Sequence, residues 1–222
     1  MVLISLQEVG KYYHTAAGEV RALDGVTLSI DEGEFVAVIG RSGSGKSTLM
    51  NILGCLDVPD VGCYRLAGKD MTRCAESHRA RVRGREIGFI FQGFHLIPSL
   101  TAQENVELPL LYRGLSREER RRRALDSLER VGLSQRLSHR PCELSGGQQQ
   151  RVAIARAIAS SPSLILADEP TGNLDTASGR DVMGILHGLH REGRTIVLIT
   201  HDPAIADEAN RRICIQDGRV AE

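Results

Sequence analysis

The chain is expected to adopt an α/β fold: a core of buried parallel strands with a mainly helical segment inserted between two of them. Three observations carry that expectation. Four short apolar runs, Phe35-Val36-Ala37-Val38-Ile39 and residues 87–91, 164–167 and 195–200, have the unbroken hydrophobicity of strands covered on both faces. The first leads straight into the Gly-rich stretch Gly40-Arg41-Ser42-Gly43-Ser44-Gly45, and residues 46–54 then read as a helix. Between Gln92 and Pro162 the pattern becomes helical.

Along the chain, residues 2–8 and 26–30 alternate loosely and read as strands, with Asp31-Glu32-Gly33-Glu34 as a turn before the first buried run. Inside the insertion, Ser116-Arg117-Glu118-Glu119 fits a capping box, with Ser116 as cap and Glu119 reaching back. Ala124, Leu125, Leu128 and Val131 follow at helical spacing, and residues 149–160 form a second helical pattern rich in Ala and Ile. The expected organisation is one domain, 1–222. Residues 1–92 plus 160–222 form the α/β core with its β portion, and 93–159 form the helical part.

Composition excludes several classes. With 222 residues and 41% apolar content, the chain can bury a core without disulfides or metals. Lys plus Arg and Asp plus Glu are both 28, and this neutrality argues against a nucleic-acid partner. The cysteines, Cys55, Cys63, Cys74, Cys142 and Cys214, are odd in number and include no C-x-x-C pair, so reduced thiols are expected. The N-terminus lacks the basic region and cleavage site of a signal peptide. No apolar run approaches the ~18 residues that span a bilayer. The chain is therefore expected to be soluble and cytoplasmic. The run 120–123, four arginines, reads as a solvated helix face, with attraction to acidic lipid headgroups the lesser reading.

Gly40, Gly45, Lys46 and Ser47 fit G-x-x-x-x-G-K-[ST]. Glycines let successive backbone N–H groups turn around phosphate oxygens, and the next helix adds its positive end. Lys46 then reaches the β- and γ-phosphates, the Ser47 hydroxyl ligates Mg²⁺, and Thr48 offers a hydroxyl near the α-phosphate. Asp168 and Glu169 end the run 164–167 at a strand's carboxyl end, where ligands gather in open α/β sheets. Asp168 is assigned to Mg²⁺ through water, and Glu169, held extended by Pro170, to the water that attacks the γ-phosphate. The plain alternative is that one of them caps the next helix. His201 ends the run 195–200 near the same edge and is suited to donate to the γ-phosphate. Asp202 and Pro203 read as cap and first residue of another helix.

Gln92 ends another buried run and can touch Mg²⁺ or the attacking water. The apolar loop after it, Phe94-His95-Leu96-Ile97-Pro98-Ser99-Leu100, reads as a docking surface or as internal packing. Of the adjacent Tyr12 and Tyr13, only one can face a given partner, and one of them can stack on adenine. His187 and His190 read as a solvent-facing pair. Leu144-Ser145-Gly146-Gly147-Gln148 is a second phosphate-suited turn in a chain that needs only one. It points to a site completed by another copy of the chain.

Together, Gly40 through Thr48, Gln92, Leu144 through Gln148, Asp168-Glu169, Asn173-Leu174-Asp175 and His201 stand in the order and spacing of ATP-binding cassette (ABC) ATPases, which the chain resembles over nearly its whole length. The resemblance implies a RecA-like P-loop core, an N-terminal antiparallel β subdomain and an inserted α-helical subdomain. It implies a head-to-tail dimer around two ATP molecules, in which Ser145, Gly146, Gly147, Gln148 and Asp175 of one chain meet the ATP of the other. Tyr13 becomes the adenine-stacking aromatic, with Gly40, Ser42, Gly43, Ser44, Gly45, Lys46, Ser47 and Thr48 on the phosphates. Glu169, His201, Gln92 and Lys46 become the catalytic set, and Ser47, Gln92 and Asp168 the Mg²⁺ set. Glu19-Val20-Arg21-Ala22-Leu23, Gly54-Cys55-Leu56-Asp57 and Thr171-Gly172-Asn173 are similar to MacB- and LolD-type cassettes. These couple ATP hydrolysis to motion of membrane subunits in lipoprotein release or peptide and antibiotic efflux. The chain ends at Glu222, so either separate membrane subunits are expected or the chain is a piece of a fused protein; the membrane part would dock near Phe94 through Leu100 at the cytoplasmic face of the inner membrane. Gly93 departs from the pattern, where a larger residue is usual. A non-transport role, such as envelope regulation, is the alternative.

Overall fold

The computed structural model describes residues 1–15 and 18–221. Two compact units are distinguished, residues 1–83 with 195–222, and residues 84–194. This cut falls elsewhere than the expected 92/93 and 159/160. Elements are numbered in chain order.

The first unit holds β1 (Val2–Thr15), β2 (Gly18–Asp31), β3 (Phe35–Ile39), α1 (Lys46–Leu53), β4 (Val61–Leu66) and β5 (Lys69–Asp70). After the second unit the chain returns as β8 (Thr195–Ile199), α7 (Pro203–Ala206), β9 (Arg211–Gln216) and β10 (Arg219–Ala221). An antiparallel sheet runs in the order β2-β1-β4-β5. Its first two strands are far longer than the expected 2–8 and 26–30. Their ladder continues past register shifts, one of them between Leu6 and Val9 beside Glu8, whose φ is +49°. Such a bulge breaks the alternation that reveals a strand in sequence. Thr27 Oγ1 accepts from Glu8 N–H at 3.0 Å and donates to the Glu8 carboxylate at 2.9 Å, closing the gap.

β3 pairs in parallel with β8 and β9, and β10 closes antiparallel on β9. Phe35 through Val38 and all of β8 are buried, as expected of strands covered on both faces. Asp202 caps α7 by accepting from Ala204 N–H at 2.8 Å, with Pro203 in the first helical position.

The helix α2 (Glu76–Glu86) leads into the second unit, which holds β6 (Ile87–Phe91), α3 (Ala102–Tyr112), α4 (Arg117–Arg130), a 3₁₀ turn (Pro141–Glu143), α5 (Gly146–Ile158), β7 (Leu164–Asp168) and α6 (Thr176–Arg191). β6 and β7 pair in parallel. Ser116 caps α4 by accepting from Glu119 N–H at 3.2 Å. The expected reciprocal half of that box is missing, because Arg122 and Arg123 both donate to the Glu119 carboxylate. A complete box stands at α3: Thr101 accepts from Glu104 N–H at 3.2 Å, and Glu104 accepts from Thr101 N–H at 2.8 Å. All five cysteines are free. Among the described residues, no helix is long and apolar enough to cross a membrane.

The fully buried Tyr64 donates its hydroxyl to Leu53 O at the end of α1, 2.7 Å away. Tyr64→Phe leaves that carbonyl unpaired and should cost about 1–2 kcal/mol of unfolding free energy. Urea denaturation with an unchanged m-value checks it.

Candidate active site

In the first unit the sheet register sets the geometry. Val38 pairs with Ile199, and Ile39 with Cys214. The chain after β3 and the chain after β8 therefore leave the sheet at one carboxyl edge. Gly40 through Ser44 and His201 line one cavity of about 750 Å³ there. A smaller cavity of about 390 Å³ is lined by Lys46, Ser47 and Thr48 together with Val20, Arg21 and Ala22 of β2. Gly40 and Gly45 are obligatory: a Cβ at Gly40 would stand 2.2 Å from Ile215 O, and one at Gly45 2.3 Å from Ala22 O.

Several groups here are poised for an anion. α1 starts at Gly45 (φ +108°) with no side-chain cap and no acidic residue in its first turn. Its leading N–H groups thus keep the partial positive charge that attracts phosphate. Lys46 Nζ donates to Gly40 O and Arg41 O, both at 2.8 Å, which folds the ammonium over the loop. Ser44 Oγ is buried without a hydrogen-bond partner. An orphaned hydroxyl, an uncapped helix start and a loop whose glycines Gly40 and Gly45 pack directly on main-chain carbonyls fit a polyphosphate.

Tyr12 and Tyr13 separate as adjacent strand residues should. Arg21 lies over the Tyr12 ring, 5.5 Å from its centroid. Tyr13, 38% exposed, donates to Asp57 Oδ2 at 3.1 Å. Burial and the Asp57 carboxylate push the Tyr13 phenol up, against the Thr48 hydroxyl and the Lys11 ammonium.

In the second unit Phe91 pairs with Asp168, so Gln92 and Glu169 follow the ends of neighbouring parallel strands. Gln92 is clasped twice. Its Nε2 donates to Asn173 Oδ1, and Asn173 Nδ2 donates to Gln92 O, each at 3.1 Å. Glu169 is not extended, contrary to expectation; its φ is +45°. Pro170 disfavours the right-handed helical region for Glu169, and the turn closed by Gly172 N–H onto Glu169 O at 3.0 Å takes the left-handed one. Such a residue stores about 1–3 kcal/mol of strain, which clusters at functional sites.

The Leu144 through Gln148 stretch is the start of a helix rather than a free turn, so α5 begins three residues before the expected 149. Ser145 Oγ accepts from Gln148 N–H at 3.3 Å, while Gln148 Oε1 accepts from Ser145 N–H at 3.0 Å. This box offsets the poor helix propensity of two glycines. Gly147 is required by packing: a Cβ there would lie 2.6 Å from Ser178 Oγ and 2.7 Å from Ser178 Cβ. Ser178 is held in turn by Asp175, which caps α6 by accepting from Ala177 N–H and Ser178 N–H at 3.0 Å and from Ser178 Oγ at 2.7 Å. Those bonds, the Ser178 N–H first, hold the Asp175 carboxyl below its ordinary range.

The loop 94–100 is tied down through its backbone. Arg156 donates to Phe94 O and His95 O, and buried Asn105 accepts from Ile97 N–H and donates to Ile97 O, Leu100 O and Thr101 O. Its apolar side chains stay partly open, with Ile97 39% exposed. Among the described residues no group of three or more His, Cys, Asp or Glu side chains is placed to hold a metal ion. Three partners had no assigned role in sequence: Asn173 on Gln92, Ser178 against Gly147, and Asp57 on Tyr13. Asp57 stands in one of the family-like motifs, but nothing local marks its target.

The first unit carries a phosphate cradle at a strand end and the second a Gly-containing helix start, the two features expected of an ATP-binding cassette. The ABC transporter family profile matches residues 23–172, and the chain belongs to that family, whose cassettes are ATPases. It is 55% identical over 218 residues to the macrolide export ATP-binding/permease protein MacB 1/2 of Paracoccus denitrificans, covering 98% of this chain and 33% of that protein. The chain thus spans about a third of such relatives' length. It is 50% identical to the ABC transporter ATP-binding protein YvrO of Bacillus subtilis, covering 98% of this chain and 95% of that one. The dimeric post-hydrolysis structure of the ATP-binding cassette MJ0796 bound to ADP and Pi matches with a TM-score of 0.91 and 45% identity, covering 99% and 97% of the two chains.

Gly147→Ala should lower unfolding free energy by about 1–3 kcal/mol through overpacking, despite alanine's better helix propensity. Adding Ser178→Gly should recover part of the loss. Urea unfolding of the single and double variants reads that coupling.

Proposed function

We propose that this chain is the ATP-hydrolysing subunit of a MacB/LolD-type transporter, with residues 93–159 as its helical lobe. The observation that carries the reading is the register that sets the phosphate loop and His201 around one cavity, beside an uncapped helix start. Gly40, Ser42, Gly43, Ser44, Gly45, Lys46, Ser47 and Thr48 hold the phosphates, with Lys46 supplying positive charge as the γ-phosphoryl leaves. Ser47, Gln92 and Asp168 would hold Mg²⁺, which would neutralise phosphate charge. Glu169 takes a proton from the attacking water, and His201 donates to the γ-phosphate. Gly146 and Gly147 let Ser145 and Gln148 approach the ATP of a second copy, with Asp175 at the same interface. Tyr13 stacks on the adenine.

Membrane subunits dock near Phe94 through Leu100, which keeps the chain peripheral on the cytoplasmic face of the inner membrane. The names of its MacB relatives favour macrolide export, with peptide efflux or lipoprotein release as the other tasks for such a motor. The tied backbone and open side chains of the docking loop support a role in contact with a partner.

Because each site needs two chains, the ATPase rate per chain should rise with protein concentration. Glu169→Gln should lose roughly 10²-fold or more of that activity and elute as a dimer when ATP is present. A variant that hydrolyses at full rate, or stays monomeric with ATP, overturns the reading.

A further inference from the structure

The stacking of Tyr13 on adenine is part of the proposed function, and the role of the residues around its ring rests on that stacking. A tyrosine on an exposed strand edge is free to rotate into solvent, yet this ring is fixed from two sides. Lys11 Nζ stands over it, 5.5 Å from the centroid. Lys11 is nearly buried, and its ammonium has three acceptors: Asp57 Oδ1 at 2.9 Å, Val58 O at 2.9 Å and Asp60 Oδ1 at 3.5 Å. An ammonium has three hydrogens, so none remains to draw it elsewhere.

Asp57 is equally constrained. Its Oδ1 also accepts from Val58 N–H at 2.7 Å, which leaves Oδ2 for the Tyr13 hydroxyl at 3.1 Å. Asp60 fixes the adjoining backbone, accepting from Tyr12 N–H at 2.7 Å and donating its own N–H to Gly10 O at 2.9 Å. The segment after α1 thus grips β1 from Gly10 to Tyr13, largely through charge-assisted bonds. Burial alone would lower the Lys11 pKa and raise that of Asp57, but their mutual bonds outweigh it and shift each the other way, so both stay charged. Stacking itself needs no phenolic hydroxyl. The hydroxyl's bond to a fixed carboxylate is therefore an orienting contact.

We propose that Asp57, braced by Lys11, is a positioning residue that locks the Tyr13 ring with one face covered by Lys11 and the other presented to the adenine base.

The test compares binding of magnesium-ATP and of inorganic tripolyphosphate, which has no base, by titration calorimetry on the purified chain. Tyr13→Phe, which removes the hydroxyl and with it the Asp57 tether, and Asp57→Asn should each weaken ATP binding roughly three- to tenfold, the range that one hydrogen bond's net worth allows, and leave tripolyphosphate binding unchanged. Tyr13→Ala should weaken ATP further, again without touching tripolyphosphate. Should Tyr13→Ala spare ATP, the adenine reading itself falls. Should Tyr13→Ala weaken ATP while Tyr13→Phe binds as the parent does, the adenine reading stands and the positioning role is overturned. Equal loss of both ligands in Asp57→Asn would make Asp57 a structural residue only and would also overturn the proposal.

Discussion

The phosphate loop is wedged against the main chain of its neighbours, and the rest of the first unit is arranged around that contact. Gly40 faces the carbonyl of Ile215 in β9, and Gly45 faces that of Ala22 in β2, each too close for a side chain. Gly218, in the turn from β9 to β10, donates to Ser44 O at 2.9 Å and accepts from Asp24 N–H at 2.9 Å. Two backbone segments from distant parts of the chain, at 22–24 and 215–218, therefore frame the loop, and the Lys46 ammonium ties it from within. The exposed Arg219–Asp24 ion pair across the same turn adds little, as surface pairs do. A loop fixed in this way can turn successive N–H groups toward a highly charged ligand.

The second unit has a comparable centre in the stretch after β7. Gln92 is bound to Asn173 from one side. Gln150 Nε2 donates to Pro170 O at 2.7 Å from a fully buried position. Ser178, fixed by Asp175, lies against Gly147, while Leu174 and Phe94 flank Gly146. One segment, residues 169–178, thus touches the end of β6, the first turn of α5 and the first turn of α6. It passes through the strained backbone of Glu169 to do so. Displacement of Gln92 would have to be absorbed by this segment, because packed interiors yield only in discrete steps.

What the sequence reveals divides along physical lines. The buried parallel strands are legible because strands covered on both faces leave unbroken apolar runs, and the phosphate loop because its chemistry is local. The antiparallel hairpin reads short because the bulge at Glu8 interrupts its alternation. The α2 helix has no buried residue, so it has no periodicity to find, and Pro109 obscures α3. Glu169 differs from its expected extended form because proline's rule for the preceding residue excludes one region without choosing between the others. Among functional residues, those missed act at a distance in sequence. Tyr13 and Asp57 are 44 positions apart, and Gln92 and Asn173 are 81 apart.

The capping box at Ser145 has one more implication. Its oxygen already accepts the Gln148 N–H, and the Gln148 side-chain oxygen already accepts the Ser145 N–H. Both side-chain acceptors at this helix start are engaged internally, whereas the serine proton and the glutamine NH₂ remain available. The polarity of the surface is thereby sorted before any partner arrives. It turns its hydrogens outward and commits one lone pair of each oxygen inward, so it favours an oxyanion over an ammonium or guanidinium.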